Sequence, residues 1–197
     1  MTGVTRRTSN DGVVRVRPAE PSDREFLEAM LLEAFNWNPE REPATLSTAR
    51  GLPEVWHYVA EWQRPNDFGV IATNDAGEPA GASWARFFST SDPGYGFVDE
   101  TIPEITMGVG AEHRNRGVGR ALLDALVTEA RTRAVPALSL SVEDGNGAAR
   151  RLYERAGFTV VGREGDSDVM VLRVGEVRPE QLQHPEPPQR PEQPQQS

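Results

Sequence analysis

Two arginines and two glycines stand within six residues, Arg114-Asn-Arg-Gly-Val-Gly119, between an apolar run and an amphipathic stretch. No other part of the sequence restricts the fold as much. The run EITMGVG (Glu104–Gly110) reads as a strand, and Gly117–Arg133 carries apolar residues at helical spacing. The first N–H groups of such a helix have no partner within it, and its dipole attracts an anion to that end. Gly117 and Gly119 let a ligand approach the backbone closely, while Arg114, Arg116 and Arg120 add positive charge. In a chain of net charge −9, this concentration points to a phosphate-binding turn at a helix start. A glycine-containing helix entry with solvated arginines is the other reading of the same residues.

The remaining elements place that unit in a mixed α/β sheet. VVRVRPA (Val13–Ala19) alternates as a half-buried strand. Ser22 and Glu25 form a capping box, ahead of a helix with Phe26, Leu27, Met30, Leu31 and Ala34 on one face. Pro53–Arg64 reads as a second helix with proline near its start. Asp67–Phe88 is a β-hairpin by pattern, turning at Asn74-Asp-Ala-Gly77. The long Ser89–Pro103 segment is a loop of the length that often carries function. Ala137–Val142 is a strand, Gly147–Ala156 a helix stopped by Gly157, and FTVVG and DVMVLRV close the series as strands. The count is six to seven strands, with helical crossovers on both sides of the glycine-rich turn.

Composition bounds the function classes. The sequence divides into a disordered tail over 1–11, one domain over 12–176 and a disordered tail over 177–197. The last holds RPEQLQHPEPPQRPEQPQQS, too polar and proline-rich to offset its ordering entropy. The acidic balance argues against a nucleic-acid-binding face. There is no cysteine, hence no thiolate metal site or cysteine nucleophile, and His57, His113 and His184 are too scattered to suggest a metal centre. No apolar run approaches a membrane span and no secretory leader is apparent, so the expected setting is the cytoplasm. Nucleotide motifs fit poorly. GxxxxGK[ST] is missing, and Gly108-Val-Gly110 and Gly117-Val-Gly119 both lack the third glycine of GxGxxG. Ser83, in GASWA, does not make a nucleophile elbow.

Two motifs carry a family resemblance. Arg114-Asn-Arg-Gly117-Val-Gly119 resembles the R/Q-x-x-G-x-G/A motif of the GNAT superfamily of N-acetyltransferases. NGAARRLYERAGF (Asn146–Phe158) is similar to its second signature, Asn-x-x-Ala-x-x-Leu-Tyr followed by Gly-Phe. They come in the family's order at a suitable distance, and the resemblance covers roughly residues 13–174. It implies a mostly antiparallel sheet with helices on both faces and a splayed central strand pair. It also implies acetyl-CoA as co-substrate, with its diphosphate on the backbone of Arg114, Asn115, Arg116, Gly117, Val118, Gly119 and Arg120. Met107-Gly108-Val109 resembles the family's bulged fourth strand, which would offer a backbone N–H to the acetyl oxygen.

The resemblance assigns the remaining chemistry. Tyr153 matches the tyrosine that donates a proton to the departing thiolate; a packed tyrosine on a helix face is the alternative. Asn146 would hydrogen-bond pantetheine, cap the helix it precedes, or do both. Glu104 is the first choice for the base, with Glu100 and Asp99 as alternatives and a solvent-facing strand end as the plain reading. Trp37, Trp56, Tyr58 and Trp62 lie where the family builds its acceptor wall, or else belong to the core. The expected activity is acetyl transfer to a primary amine by direct attack, and the family's frequent dimers make a homodimer a candidate assembly. An acyl-CoA sensor without turnover, or an interaction protein acting through its Pro/Gln tail, are the competing expectations.

Overall fold

A computed structural model describes residues 4–7 and 13–175. Val4–Arg7 (β1), Val13–Pro18 (β2), Phe68–Thr73 (β3), Pro79–Arg86 (β4), Glu104–Val109 (β5), Ala137–Glu143 (β6), Thr159–Glu164 (β7) and Ser167–Arg173 (β8) form one sheet among the described residues. Its order is β1-β2-β3-β4-β5-β6-β8-β7. Every neighbouring pair is antiparallel except β5 and β6. The helices are Arg24–Phe35 (α1), Leu46–Arg50 (α2), Pro53–Trp56 (α3), Val118–Thr132 (α4) and Gly147–Ala156 (α5).

The seven expected strands are present, and β1 is an eighth. It corrects the expectation of a tail over residues 1–11, because Val4–Arg7 pair with Val13–Val16. The tail expected from residue 177 lies outside the described residues. Among the described residues, no helix is long and apolar enough to cross a membrane.

Alternation along the strands builds a core on each face. On one, Leu122, Leu123, Leu126 and Ala130 of α4 pack against Leu138, Leu140, Ile105 and Met170. On the other, Leu27, Met30 and Leu31 of α1, with Val55, Tyr58, Val59 and Trp62, cover Ile71, Ala82 and Trp84.

Two helix boundaries differ from the sequence pattern. The first helix begins at Arg24, after a 3-10 turn over Pro21–Asp23. Asp23, not Ser22, is the organising residue. Its carboxylate accepts from the Glu20 N–H at 2.7 Å and takes both arms of Arg17, each at 2.7 Å, which fastens β2 to the helix start. The second helix ends at Trp56 rather than Arg64. Arg86, wholly buried, donates to the carbonyls of His57 (2.6 Å) and Ala60 (2.7 Å), and Glu61 turns away with φ 55°. Apolar spacing along 53–64 continues, but a distant guanidinium reshapes the backbone there.

Candidate active site

The site begins where two adjacent strands part. Gly110 N–H donates to Ala80 O at 3.0 Å. By antiparallel alternation, the even residues of β5 commit their backbone groups to β4, and Ile105, Met107 and Val109 direct theirs towards β6. Yet β6 meets β5 in register at Glu104↔Ser139, where Ser139 N–H donates to Pro103 O at 3.0 Å. Beyond that pair the strands diverge, and the backbone groups of Met107 and Val109 have no ladder partner among the described residues. The expected bulge is not what releases them, since the β4–β5 register runs without a shift from Glu104 to Val109. Divergence of β5 from β6 does it instead. Gly108 contributes in another way. A Cβ there would stand 2.1 Å from Met30 O, so glycine is what lets α1 lie against β5.

The turn into α4 leaves donors uncovered. Asn115 (φ 60°) and Gly117 (φ 79°) are both left-handed, and the first helical bond runs from Ala121 N–H to Gly117 O at 3.0 Å. Val118, Gly119 and Arg120 therefore present N–H groups with no helical partner. Gly119 also keeps α4 close to its neighbours, as a Cβ would meet Leu152 at 3.3 Å and the Met107 sulfur at 3.6 Å. The three arginines separate in role. Arg114 donates to Val109 O (3.2 Å) and Glu33 (2.6 Å), tying this turn to α1. Arg120 pairs with Asp124 one turn along at 2.8 Å. Arg116 is exposed, with no ion pair among the described residues.

Two further expected residues sit on α5. Asn146 is its N-cap, Oδ1 accepting from Ala149 N–H at 3.2 Å. The Tyr153 ring packs 5.7 Å from that of Phe158. Burial pushes its hydroxyl up to about 12, so it is a neutral donor at ordinary pH, and it has no hydrogen-bond partner among the described residues.

Glu104 is not a solvent-facing strand end. It is 3 % exposed and lies on the α1 face of the sheet, opposite Met107 and Val109. The Tyr58 hydroxyl donates to its Oε1 at 2.7 Å and itself accepts from Tyr95 N–H at 2.6 Å. Oε2 is buried without a partner among the described residues. Burial raises the carboxyl from 4.5 to about 7, against the stabilising effect of Tyr58 and the Gly96 amide. Glu100 and Asp99 point elsewhere. Both are exposed, Glu100 accepting from Thr90 and Asp99 from Thr101, which holds each below its usual range.

The aromatic residues divide. Tyr58 and Trp62 are core side chains, with the Trp62 indole donating to Glu20 O at 3.0 Å. Trp56 is half-buried under Arg50. Trp37 reaches β6, its indole N–H donating to Glu143 at 2.8 Å. Sequence spacing does not reveal that Tyr58 serves Glu104. The available signal is Gly94-Tyr-Gly96, whose glycines bring the loop close to Glu104 and to the β6 backbone. A Cβ on Gly94 would lie 2.1 Å from Glu104 Oε2, and one on Gly96 would lie 2.4 Å from Leu140 C.

Comparison with known proteins agrees with this geometry. The model of the acetyltransferase (GNAT) family matches residues 27–158. The chain is similar to a mycothiol acetyltransferase of Propionibacterium freudenreichii, 32 % identical over 142 residues, covering 72 % of this chain and 42 % of the relative. A mycothiol acetyltransferase of Beutenbergia cavernae is 46 % identical over 137 residues, 68 % of this chain and 40 % of the relative. The chain thus spans less than half the length of these curated relatives. In fold it resembles the GNAT domain of S. lividans PAT (TM-score 0.65, 20 % identity, 87 % of this chain and 96 % of that one). It also resembles the phosphinothricin acetyltransferase of Sinorhizobium meliloti in complex with AcCoA (TM-score 0.61, 18 % identity, 82 % and 89 % covered). With two thirds of its length matched by the family model and both signature motifs on the expected elements, the chain is a member of the acetyltransferase (GNAT) family.

Proposed function

We propose that this chain moves an acetyl group from acetyl-CoA to a primary amine by direct attack. One observation carries the reading: Glu104, a buried carboxyl titrating near neutrality, stands at the point where β5 and β6 begin to diverge. The chain's donors fit the co-substrate. Three free N–H groups at the start of α4 and the exposed Arg116 suit a diphosphate, and the unpaired edge of β5 suits an extended amide-bearing arm. Bound acetyl-CoA supplies an acetyl thioester.

The residues divide the work as follows. Glu104 takes the proton that the amine sheds as its nitrogen bonds to the carbonyl carbon. The N–H groups of Met107 and Val109 donate to the carbonyl oxygen as negative charge builds there. Tyr153 donates to the sulfur as the carbon–sulfur bond breaks. A thiol ordinarily titrates near ~8.5, so a phenol held at about 12 acts as a hydrogen-bond donor to the sulfur more than as a complete proton source. The relatives' name makes a mycothiol-type amine the first acceptor to try. Thiol release from acetyl-CoA across a panel of amines tests the reading. Amine-dependent turnover supports it, and tight acetyl-CoA binding without turnover favours a sensor.

A further inference from the structure

We propose that Tyr58 is the positioning residue of this site: its hydroxyl holds Glu104 Oε1 as a fixed acceptor and leaves Oε2 as the oxygen that gains and loses the proton. The inference rests on Glu104 being the base.

Three observations carry it. First, the hydrogen-bond chain has one direction. The Tyr95 amide donates to the Tyr58 oxygen at 2.6 Å, which turns the Tyr58 proton towards Glu104 Oε1 at 2.7 Å. A hydroxyl has one proton to give, so Tyr58 can serve Oε1 only. Second, Oε2 and the Ser139 hydroxyl directly across the β5–β6 register are both buried without hydrogen-bond partners among the described residues. A buried polar atom without a partner is costly, and here two stand on neighbouring strands and on one face of the sheet. Third, the turn at Gly94 packs directly on these two oxygens: a Cβ there would lie 2.1 Å from Oε2 and 2.7 Å from the Tyr58 oxygen, so a larger residue would displace one or both. The turn is shaped around this pair of oxygens.

The charges facing Glu104 leave Tyr58 as its main polar partner. Arg86, its cross-strand neighbour on β4, is bound to Asp67. His57 bonds Asp92 through Nδ1 at 2.8 Å, with its ring 4.6 Å from that of Phe88. Tyr95 stacks on Tyr58 and titrates above its usual range through burial. Tyr58 itself is held well above the usual tyrosine value by burial and by Glu104, so it stays a donor.

The test is a carbon-13 NMR titration of the full chain labelled at the glutamate side-chain carboxyls. The signal missing from Glu104→Gln identifies Glu104. Tyr58→Phe keeps the ring and removes the donor, so the Glu104 midpoint should rise by about one pH unit, the size of one hydrogen bond to a charged group. Difluorotyrosine at position 58, a stronger donor of nearly the same shape, should move the midpoint down, and it decides the question if Tyr58→Phe unfolds. Thiol release, with the amine that turns over fastest in the panel, should show the acidic limb of kcat/KM moving with the midpoint in both proteins. An unmoved midpoint in folded Tyr58→Phe, or in the difluorotyrosine protein, overturns the proposal. Unimpaired turnover in Glu104→Gln instead overturns the underlying assignment of the base.

Discussion

Arg86 stands directly across the β4–β5 ladder from Glu104, yet its guanidinium bonds Asp67, at 2.5 Å, and not Glu104. Both members of that ion pair are buried. The positive charge across the ladder from Glu104 is thereby paired by a residue just ahead of β3. Glu104 keeps the character of a carboxyl in an apolar site, which is the character a base needs near neutrality.

Removing Asp67 should therefore act in two ways. Asp67→Asn leaves a buried guanidinium without its counter-charge, and stability should fall by about 3–5 kcal/mol in denaturant melts. At temperatures where the variant remains folded, the freed charge should favour ionised Glu104 and move the acidic limb of kcat/KM to lower pH. A stable variant with an unmoved limb would show that Arg86 has no electrostatic hold on Glu104.

Glu104 should also cost stability. Its folded value of about 7 lies above the ordinary 4.5, so the folded state holds its proton longer than the unfolded chain does. Its contribution is most favourable below pH 4.5 and is lost as pH rises through about 7. At about 1.4 kcal/mol per pH unit, the cost above neutrality reaches about 3 kcal/mol. Glu104→Gln should melt higher than the wild type at pH 8 and about equally at pH 4.5. Calorimetry at both values checks the sign, and a variant less stable at pH 8 contradicts the buried-carboxyl account.

The α4 turn yields a binding prediction. Gly117→Glu places a charged side chain at a φ of 79°, beside the free N–H groups. Acetyl-CoA should raise the melting temperature of the wild type by mass action, and the variant should lose that rise. An undiminished rise would remove the diphosphate from this turn.

Tyr153→Phe deletes a hydroxyl with no hydrogen-bond partner among the described residues and keeps the ring against Phe158. Stability and acetyl-CoA affinity should barely change, while single-turnover rates fall between about 10- and 100-fold. A wild-type single-turnover rate would make Tyr153 a packing residue.

Much of this arrangement is legible in the sequence because it is local. The αL entry at Gly117, the Asn146 cap and the Gly157 stop each follow from residues within one turn, and strand alternation places Glu104 at the start of β5. What the sequence does not reveal depends on distant partners. The helix over 53–64 stops because Arg86, far along the chain, takes two of its carbonyls. Arg114 reads by spacing as part of the phosphate-binding turn, and its pairing with Glu33 on α1 is not legible locally. Burial of Glu104 arises from Tyr58 and the Gly94 turn, which meet it only once the sheet has formed. The parting of β5 from β6 concerns two strands separated by a whole helix, and no local pattern encodes it.

The most direct measurement is the pH dependence of kcat/KM for the wild type and Glu104→Gln side by side, with acetyl-CoA and one amine. The account predicts a limb in the wild type rising through about pH 7, where Glu104 loses its proton. In the variant that limb should be lost and the rate depressed most near neutrality, recovering at alkaline pH where free amine needs no base. Parallel profiles, with the same limb in both proteins, would contradict the assignment of Glu104 as the base.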